Sequence, residues 1–326
     1  MTENQSWAVD ALTKVLTANL KEQKRARRWK SFTRLLTLLL FLVIFSSLFK
    51  VSIGNNDFIK NDTHKSHTAL ISIKGEIAED AFYGSAEHVI ESLRKAFKQE
   101  NVKGIILDLN SPGGSPVQSD LIYNEIKILQ KEDKQQRKIY AVVSDICASG
   151  CYYLAAAADK IYANEISTVG SLGVLYNGFG FVDLIQKIGV DRRLQTAGKY
   201  KAILDPFMQE TEDSKRIIKN ILDDVHQTFI ARVKEGRGKK INLNNPDLFS
   251  GLFWTGKQAL SLGLVDDFKN KFEVAKEIIK AEEIVDYTSK PTIGEVMFGN
   301  ISRVSDSKLT MLEKLFLKSD YSNLKI

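Results

Sequence analysis

From Thr68 onward, apolar stretches typical of buried β-strands alternate with segments whose apolar residues recur at helical spacing. The strand-like runs are 68–73, 103–109 and 138–146, and the helical patterns that follow them are 85–99, 117–131 and 150–158. Strands that alternate with helices form a largely parallel sheet, because each helix carries the chain back to the edge where the next strand begins. The sequence therefore predicts an α/β fold.

The pattern becomes less regular after residue 159. We expect a short strand, a glycine-rich stretch and four helices there: strand 160–163, glycines 170–180, and helices 181–188, 210–235, 257–262 and 271–281. The longest of these helices carries an apolar stripe from Ile217 to Val233, and Gly236 is expected to end it.

Composition and charge exclude two classes of protein. With 44% hydrophobic residues in 326, the chain can bury a full core and is not disordered as a whole. The net charge of +6 comes mainly from residues 1–34, which hold eight basic and three acidic residues. The remaining 292 residues carry 38 basic and 37 acidic side chains, so nucleic-acid binding is not expected.

A membrane anchor is predicted near the amino terminus. The basic cluster between Lys21 and Arg34 precedes Leu35–Phe49, whose only polar members are one threonine and two serines. A helix over 32–53 would cross a bilayer if Arg34 and Lys50 extend to its two surfaces. A buried core helix or a cleaved signal peptide are the alternatives, although no small-residue cleavage site follows the run.

This anchor predicts the organisation of the whole chain. The positive-inside rule holds the basic prefix in the cytoplasm and places everything after the apolar run outside it. The expected parts are a cytoplasmic segment 1–31, the anchor 32–53, a linker 54–67, a globular domain 68–285 and a tail 286–326.

Two predicted loops follow strands at the edge where α/β folds bind ligands. Asn110–Ser115 contains the pair Gly113 and Gly114, whose N–H groups could face an anion, or the loop is a plain turn. In the second loop, Ser149 lies where a helix should start. Its hydroxyl either caps that helix or acts as a nucleophile beside the free N–H groups of the first turn.

A serine nucleophile needs a base, and the four histidines lie in the linker or on amphipathic helices. Lysine is the remaining candidate, although burial must lower its pKa from about 10.4 toward neutrality before it can accept a proton. The segment 196–207 places Lys199 and Lys201 among small and apolar neighbours. Two solvated lysines on a strand are the alternative.

In this order, behind an amino-terminal anchor, Asn110–Ser115, Ala148–Tyr153 and Gly198–Phe207 resemble the signal peptide peptidase A family of membrane-bound serine proteases, peptidase family S49. The segments Asp159–Ala163 and Gly170–Val174 extend the resemblance, which runs from about Thr68 to Asp267. It implies a fold similar to crotonase and Clp protease.

The same resemblance implies the roles of individual residues. Ser149 would be the nucleophile and Lys201 the general base, with Ser171 hydrogen-bonding the lysine. The oxyanion hole would combine the N–H groups of Gly114 and Gly150, together with Gly113. Neither a metal nor a cofactor is implied. Cys151 departs from the family pattern, because we expect a glycine at that position.

The expected function is that of a serine endopeptidase that degrades cleaved signal peptides and other extended membrane-derived peptides through an acyl-enzyme. The resemblance implies a homo-oligomeric ring, often of eight subunits, whose active sites form between neighbours. It also implies the bacterial inner membrane as location, with the catalytic domain periplasmic. A catalytically inactive peptide-binding scaffold, or a crotonase-like acyl-CoA enzyme, are the alternatives.

Two further features of the sequence have more than one interpretation. Cys147 and Cys151 flank Ser149, and a disulfide, a metal pair or a reactive thiol are possible there. Because a bond between them would constrain the turn that presents Ser149, separate roles in the core are expected. Gly251–Gln258 nearly matches a nucleotide-binding loop, but Gln258 replaces the required Ser or Thr, so a structural turn into the next helix is expected.

Overall fold

The computed structural model describes residues 25, 27–30, 32–43 and 65–290. The chain divides into two units, Met1–Asn61 and Asp62–Ile326. In the first unit the described residues are helical, and the apolar side chains of Leu35 to Val43 are exposed. Among described residues, no helix combines the length and the apolar character needed to cross a membrane. Residues 44–53 of the expected anchor lie outside the described residues, so the anchor stays a prediction.

The second unit is an α/β domain. Its strands are β1 His67–Lys74, β2 Val102–Ser111, β3 Lys138–Ala148, β4 Lys160–Ala163, β5 Thr168–Gly170, β6 Phe253–Thr255, β7 Asp267–Phe268 and β8 Ile284–Asp286. Its helices are α1 Ala86–Lys98, α2 Pro116–Glu132, α3 Gly150–Ala155, α4 Val182–Lys187, α5 Glu212–Arg237, α6 Gly256–Ser261 and α7 Lys271–Glu273, the last continued by a π-helical turn, Val274–Ile279.

The strands form one eight-stranded sheet with the order β6-β5-β3-β2-β1-β8, to which β4 and β7 add beside β3. All pairs are parallel except β5 with β6. The amino-terminal half of β3 pairs with β4, and its last three residues pair with β5. The register between β2 and β3 shifts after Leu109, so that Ser111 faces Cys147. This irregularity brings the ends of the two central strands together.

The core lies between the sheet and the helices α1 and α2. Alternate residues of β2, among them Leu107 and Leu109, face these helices and are fully buried. Helix α1 begins at Ser85, whose hydroxyl accepts from the His88 N–H, and it buries Val89 and Leu93 one turn apart. The predicted α/β fold and its first three strands and helices are confirmed.

The long helix α5 differs from its prediction at the carboxyl end. Gly236 does not end it; the helix continues to Arg237 and is capped by Gly238 at φ 55°. Gly236 serves a packing role instead, because a Cβ there would lie 1.8 Å from the Ala156 carbonyl oxygen. A glycine required for close approach has the same sequence signature as a glycine that ends a helix.

The segment that resembled a nucleotide-binding loop is a helix start, as expected. Thr255 caps α6, accepting from the Gln258 N–H, while the Gln258 side chain accepts from the Thr255 N–H. Gln258 therefore completes a capping box.

Candidate active site

Ser149 lies at the sharp turn where β3 passes into α3. Its backbone has φ 53° and ψ −124°, a conformation that a residue with a side chain rarely adopts. The Ser149 N–H donates to the Gly170 carbonyl at 2.8 Å, and its own carbonyl accepts from the Tyr153 N–H at 3.0 Å. The hydroxyl makes no capping hydrogen bond to the helix. Strain at an uncapped helix start indicates a function for this side chain rather than a structural cap.

The glycine loop after β2 packs directly against this turn. A Cβ on Gly113 would lie 2.7 Å from the Ser149 Cβ and 2.8 Å from the Gly150 nitrogen. The loop is held from the other side by Ile77, whose N–H donates to the Gly113 carbonyl and whose carbonyl accepts from Ser115. Gly113 also has φ +102°, so both space and backbone conformation require a glycine here.

The two candidate oxyanion donors with access to Ser149 are Gly114 and Gly150. Both line the cavity that contains Ser149, and the Gly114 nitrogen lies 3.3 Å from the position of a Cβ on Gly150. The Gly113 N–H instead donates to the Ser111 hydroxyl at 3.1 Å. Gly150 is the first residue of α3, where N–H groups lack intrahelical acceptors. The geometry thus favours Gly114 and Gly150 over Gly113, although their role remains a prediction.

The cavity around Ser149 has a volume of about 620 Å³, and its walls combine apolar side chains with the polar groups of Glu76 and three serines. Its lining comprises Glu76, Pro112, Gly114, Pro116, Ser149, Gly150, Tyr153, Ser171, Gly173, Val174, Leu175, Val225, Phe229, Ser250 and Gly251. The rings of Tyr153 and Phe229 stack obliquely, 5.1 Å apart between centroids. Burial, and the hydrogen bond to Asp120, raise the pKa of Tyr153, which keeps the phenol neutral.

Ser171 lines the same cavity and also has a positive φ, 54°. Its N–H donates to the Leu252 carbonyl at 2.7 Å, which fixes it immediately after β5, the strand that receives the Ser149 N–H. The structure therefore places Ser149 and Ser171 on adjacent strand ends. The hydrogen bond between Ser171 and a lysine stays a prediction.

The two candidate bases lie elsewhere. Lys199 and Lys201 occupy successive turns rather than a strand, and both are exposed. Lys199 pairs with Asp213 at 3.2 Å, and hydrogen bonds to Tyr200 and Asp213 raise the pKa of Lys199, which keeps it cationic. Lys201 does not line the Ser149 cavity, and none of the described residues that do so is a lysine. Within one chain, the structure does not bring Ser149 and Lys201 into one cavity.

The described histidines are occupied by structural contacts. His67 is buried and hydrogen-bonds Tyr287, His88 hydrogen-bonds the Ser85 hydroxyl, and His226 hydrogen-bonds the Leu172 carbonyl. None of the three lines the Ser149 cavity.

The expectation of separate roles for the two cysteines is wrong. Cys147 and Cys151 form a disulfide that closes a loop around Ser149, and both residues are fully buried. The reason is local: the sharp turn at Ser149 brings the last residues of β3 back over the start of α3, with 5.2 Å between the two Cα atoms. The Cys151 side chain is therefore bonded to Cys147, and the departure from glycine does not place a free side chain beside the nucleophile.

Three residues of the cavity wall, Glu76, Tyr153 and Phe229, were not predicted to belong to the site. Tyr153 and Phe229 belong to α3 and α5, which are far apart in sequence, and Glu76 follows β1. The sequence signal for Phe229 was the apolar stripe of the long helix. Such a stripe predicts a buried face, but it does not identify the residues that pack against that face.

One family model and several curated proteins are similar to this chain. A model of peptidase family S49 matches residues 131–285, which include the Ser149 turn, Ser171 and both lysines. A Brucella melitensis protein named "Na(+)/H(+) antiporter NhaA" is 49% identical over 174 residues, which are 53% of this chain and 23% of that protein. An Enterococcus faecium "Putative signal peptide peptidase SppA" is 30% identical over 202 residues, covering 62% of this chain and 58% of that protein.

The chain therefore spans less than two thirds of either protein. A Synechocystis relative named "Putative protease slr0021" is 31% identical over 207 residues, which cover 64% of this chain and 71% of that protein. The chain covers more than two thirds of this relative, and the family model matches the segment that contains the strained serine. The chain therefore belongs to peptidase family S49.

Proposed function

We propose that this protein is a serine endopeptidase in which Ser149 attacks the substrate carbonyl and Lys201 acts as general base. The observation that carries the proposal is the Ser149 turn: a serine at positive φ, not used as a helix cap, opposite the Gly114 and Gly150 backbone. A developing oxyanion between those two N–H groups would be stabilised by hydrogen-bond donors that are already in place before the reaction.

The proposed reaction has two stages. Lys201 takes the Ser149 hydroxyl proton as the oxygen attacks, and the tetrahedral intermediate collapses to an acyl-enzyme when the leaving amine takes that proton. Lys201 then deprotonates a water molecule as it attacks the ester, and gives that proton to the Ser149 oxygen when the acid product leaves. The apolar walls formed by Val174, Leu175 and Val225 suit an apolar substrate side chain.

We further propose that the base comes from a neighbouring copy of the chain. Lys201 is exposed, yet a lysine accepts a proton only when burial disfavours its charge. The segment that carries it, residues 174–211, is hereafter the arm. The arm exposes large apolar side chains that a neighbouring subunit would cover, namely Leu175, Tyr176, Phe179, Leu184, Ile188, Val190, Leu204 and Met208. A homo-oligomeric ring, such as an octamer, would bury both the arm and Lys201.

The proposed substrates are released signal peptides and other extended membrane-derived peptides. The name of the Enterococcus faecium relative supports this substrate class, and the apolar part of the cavity wall suits such chains. The proposed location is the bacterial inner membrane, with the anchor 32–53 in the bilayer and the catalytic domain periplasmic. The disulfide between Cys147 and Cys151 supports this location, because disulfides persist in oxidising compartments. We also propose that the domain has a fold similar to those of crotonase and Clp protease.

Three variants of the full chain test the chemistry. Ser149→Ala and Lys201→Ala should each abolish cleavage of a fluorogenic apolar peptide and labelling by a fluorophosphonate probe. Lys199→Ala is the matched control, two residues from the proposed base but paired with Asp213, and it should keep most of the activity. Equal loss in both lysine variants would contradict the assignment of the base.

The same experiment separates the alternatives. A peptide-binding scaffold would bind the peptide without turnover and leave Ser149 unlabelled. A crotonase-like enzyme would instead turn over an acyl-CoA thioester, a substrate that reaches a periplasmic domain with difficulty.

A further inference from the structure

We infer that the Cys147–Cys151 disulfide is a positioning element for Ser149: it holds the nucleophile in its strained conformation and so sets the rate of attack. This inference rests on the proposed function and assigns a part in it to two residues outside the catalytic pair. The juxtaposition is unusual in its symmetry, since the bonded residues lie two positions before and two positions after Ser149.

The first support is the conformation that must be held. Ser149 is one of four described residues other than glycine with positive φ, and its hydroxyl gains no capping bond in return. Such a conformation persists only where its surroundings enforce it. Two backbone hydrogen bonds help, one to Gly170 and one from Tyr153, but both lie at the same turn and open when it relaxes.

The second support is where the bond attaches. Cys147 is held in the sheet, paired with both Ser111 and Val169, and Cys151 is the second residue of α3. The bond therefore ties the strand before the nucleophile to the helix after it. Both cysteines are fully buried and neither lines the cavity, so the bond can hold the turn without occupying the space open to substrate.

The third support is what the bond does not do. A disulfide stabilises a fold mainly by lowering the conformational entropy of the unfolded chain, and this effect is smallest for short loops. With a sequence separation of four, the bond closes one of the shortest possible loops. Its main consequence is thus local, and the residue at the centre of that loop is Ser149.

The test compares wild type with the double variant Cys147→Ala/Cys151→Ala, both as full chains in detergent. The variant should lose at least about tenfold in kcat for the fluorogenic peptide while KM changes less than about twofold, because a misplaced nucleophile slows attack without weakening binding. The rate of fluorophosphonate labelling should fall in parallel. Wild type purified with a phosphine reductant, which takes up the oxygen of water as the cysteines gain two hydrogens, should behave like the variant and recover on reoxidation.

Leu93→Ala is the matched control, because it removes a fully buried side chain from α1, away from the site. It should lower thermal stability with kcat unchanged. The inference is overturned if the double variant keeps the wild-type kcat, if its kcat falls no more than that of Leu93→Ala, or if denatured wild type contains two free thiols. A count of two free thiols would show that the disulfide is absent, because the chain has only these two cysteines.

Amide hydrogen exchange over residues 149–153 separates this inference from the proposed function. Faster exchange in the double variant supports the positioning role even if neither protein cleaves peptides, an outcome that would refute only the proposed function. Equal exchange in both proteins overturns the positioning role even if wild type is an active protease.

Discussion

The sequence left two interpretations of Ser149 open, a helix cap and a nucleophile, and the structure contradicts the first. A serine at a helix start most often caps it, yet this hydroxyl makes no capping bond and its backbone has a positive φ. The sequence could place Ser149 at the start of a helix, because β3 and α3 have clear patterns. It could not predict the strained turn, which depends on contacts with Gly113 in the loop after β2 and with Gly170 at the end of β5.

Gly113→Ala tests whether the close approach of the glycine loop matters for activity. The added methyl group would lie 2.7 Å from the Ser149 Cβ, so the turn must shift. We expect kcat/KM to fall at least about a hundredfold, since small displacements of reacting groups are costly. Steady-state kinetics with the fluorogenic peptide measures this effect.

The control for this change is Gly238→Ala. Gly238 also has positive φ, but a Cβ there meets nothing within 4 Å, and the residue lies at the far end of α5. This variant should lose about 1–3 kcal/mol of stability from its backbone alone and keep its activity. A Gly113→Ala enzyme with activity within about threefold of wild type would contradict the predicted crowding.

At the scale of elements, α5 connects the cavity to the rest of the domain. Phe229, in its carboxyl-terminal half, lines the Ser149 cavity, and its last residue Arg237 is buried. Arg237 pairs with Asp266 at 2.8 Å and donates to the Gly263 carbonyl, while Asp266 also accepts from the Ile161 N–H. These contacts fix the carboxyl end of α5 against the strand β4.

Asp266→Asn should therefore destabilise the domain. Burial alone would raise the pKa of Asp266, but hydrogen bonds from Arg237 and Lys240 outweigh it and hold that pKa below its usual range. Loss of the carboxylate leaves a buried guanidinium uncompensated, so we expect a loss of about 3 kcal/mol at pH 7. Urea unfolding followed by circular dichroism measures this loss.

The pH dependence has a definite sign. Because the folded-state pKa of Asp266 is depressed, its contribution is complete above the unfolded value of about 3.9 and is lost as pH falls through the folded value. The difference between wild type and variant should thus shrink below about pH 4. Asp191→Asn, in an exposed pair with Arg193, should change stability by less than about 1 kcal/mol. A variant as stable as wild type at pH 7 would contradict the account.

The elements themselves were largely predictable, and their exceptions have physical causes. The buried strands β1, β2 and β3 have continuous apolar runs, which depend on local sequence alone. Strands β5 to β8 have two or three residues each and were not predicted, because such short segments are defined by their partners rather than by a pattern. The apolar stripe of α5 was visible, but only its carboxyl-terminal part, with Phe229 and Val233, is fully buried.

For the whole molecule, the arm is the feature that a single chain leaves unexplained. Helix α4 within it buries none of its residues, and Leu175, Phe179 and Ile188 are each more than 60% exposed. The same segment carries Lys201, outside the Ser149 cavity. One contact between neighbouring chains would cover the arm and bring Lys201 to the Ser149 cavity. Catalysis would then depend on assembly.

Mixing two inactive variants tests that central claim most directly. Chains with Ser149→Ala still supply Lys201, and chains with Lys201→Ala still supply Ser149, so co-expressed rings should contain complete sites at some contacts between neighbours. Because each contact in a cyclic ring joins one surface to a different one, random assembly predicts about a quarter of the wild-type peptidase rate. Mixed rings that form, shown by co-purification of differently tagged chains, yet remain as inactive as either variant alone would contradict the claim.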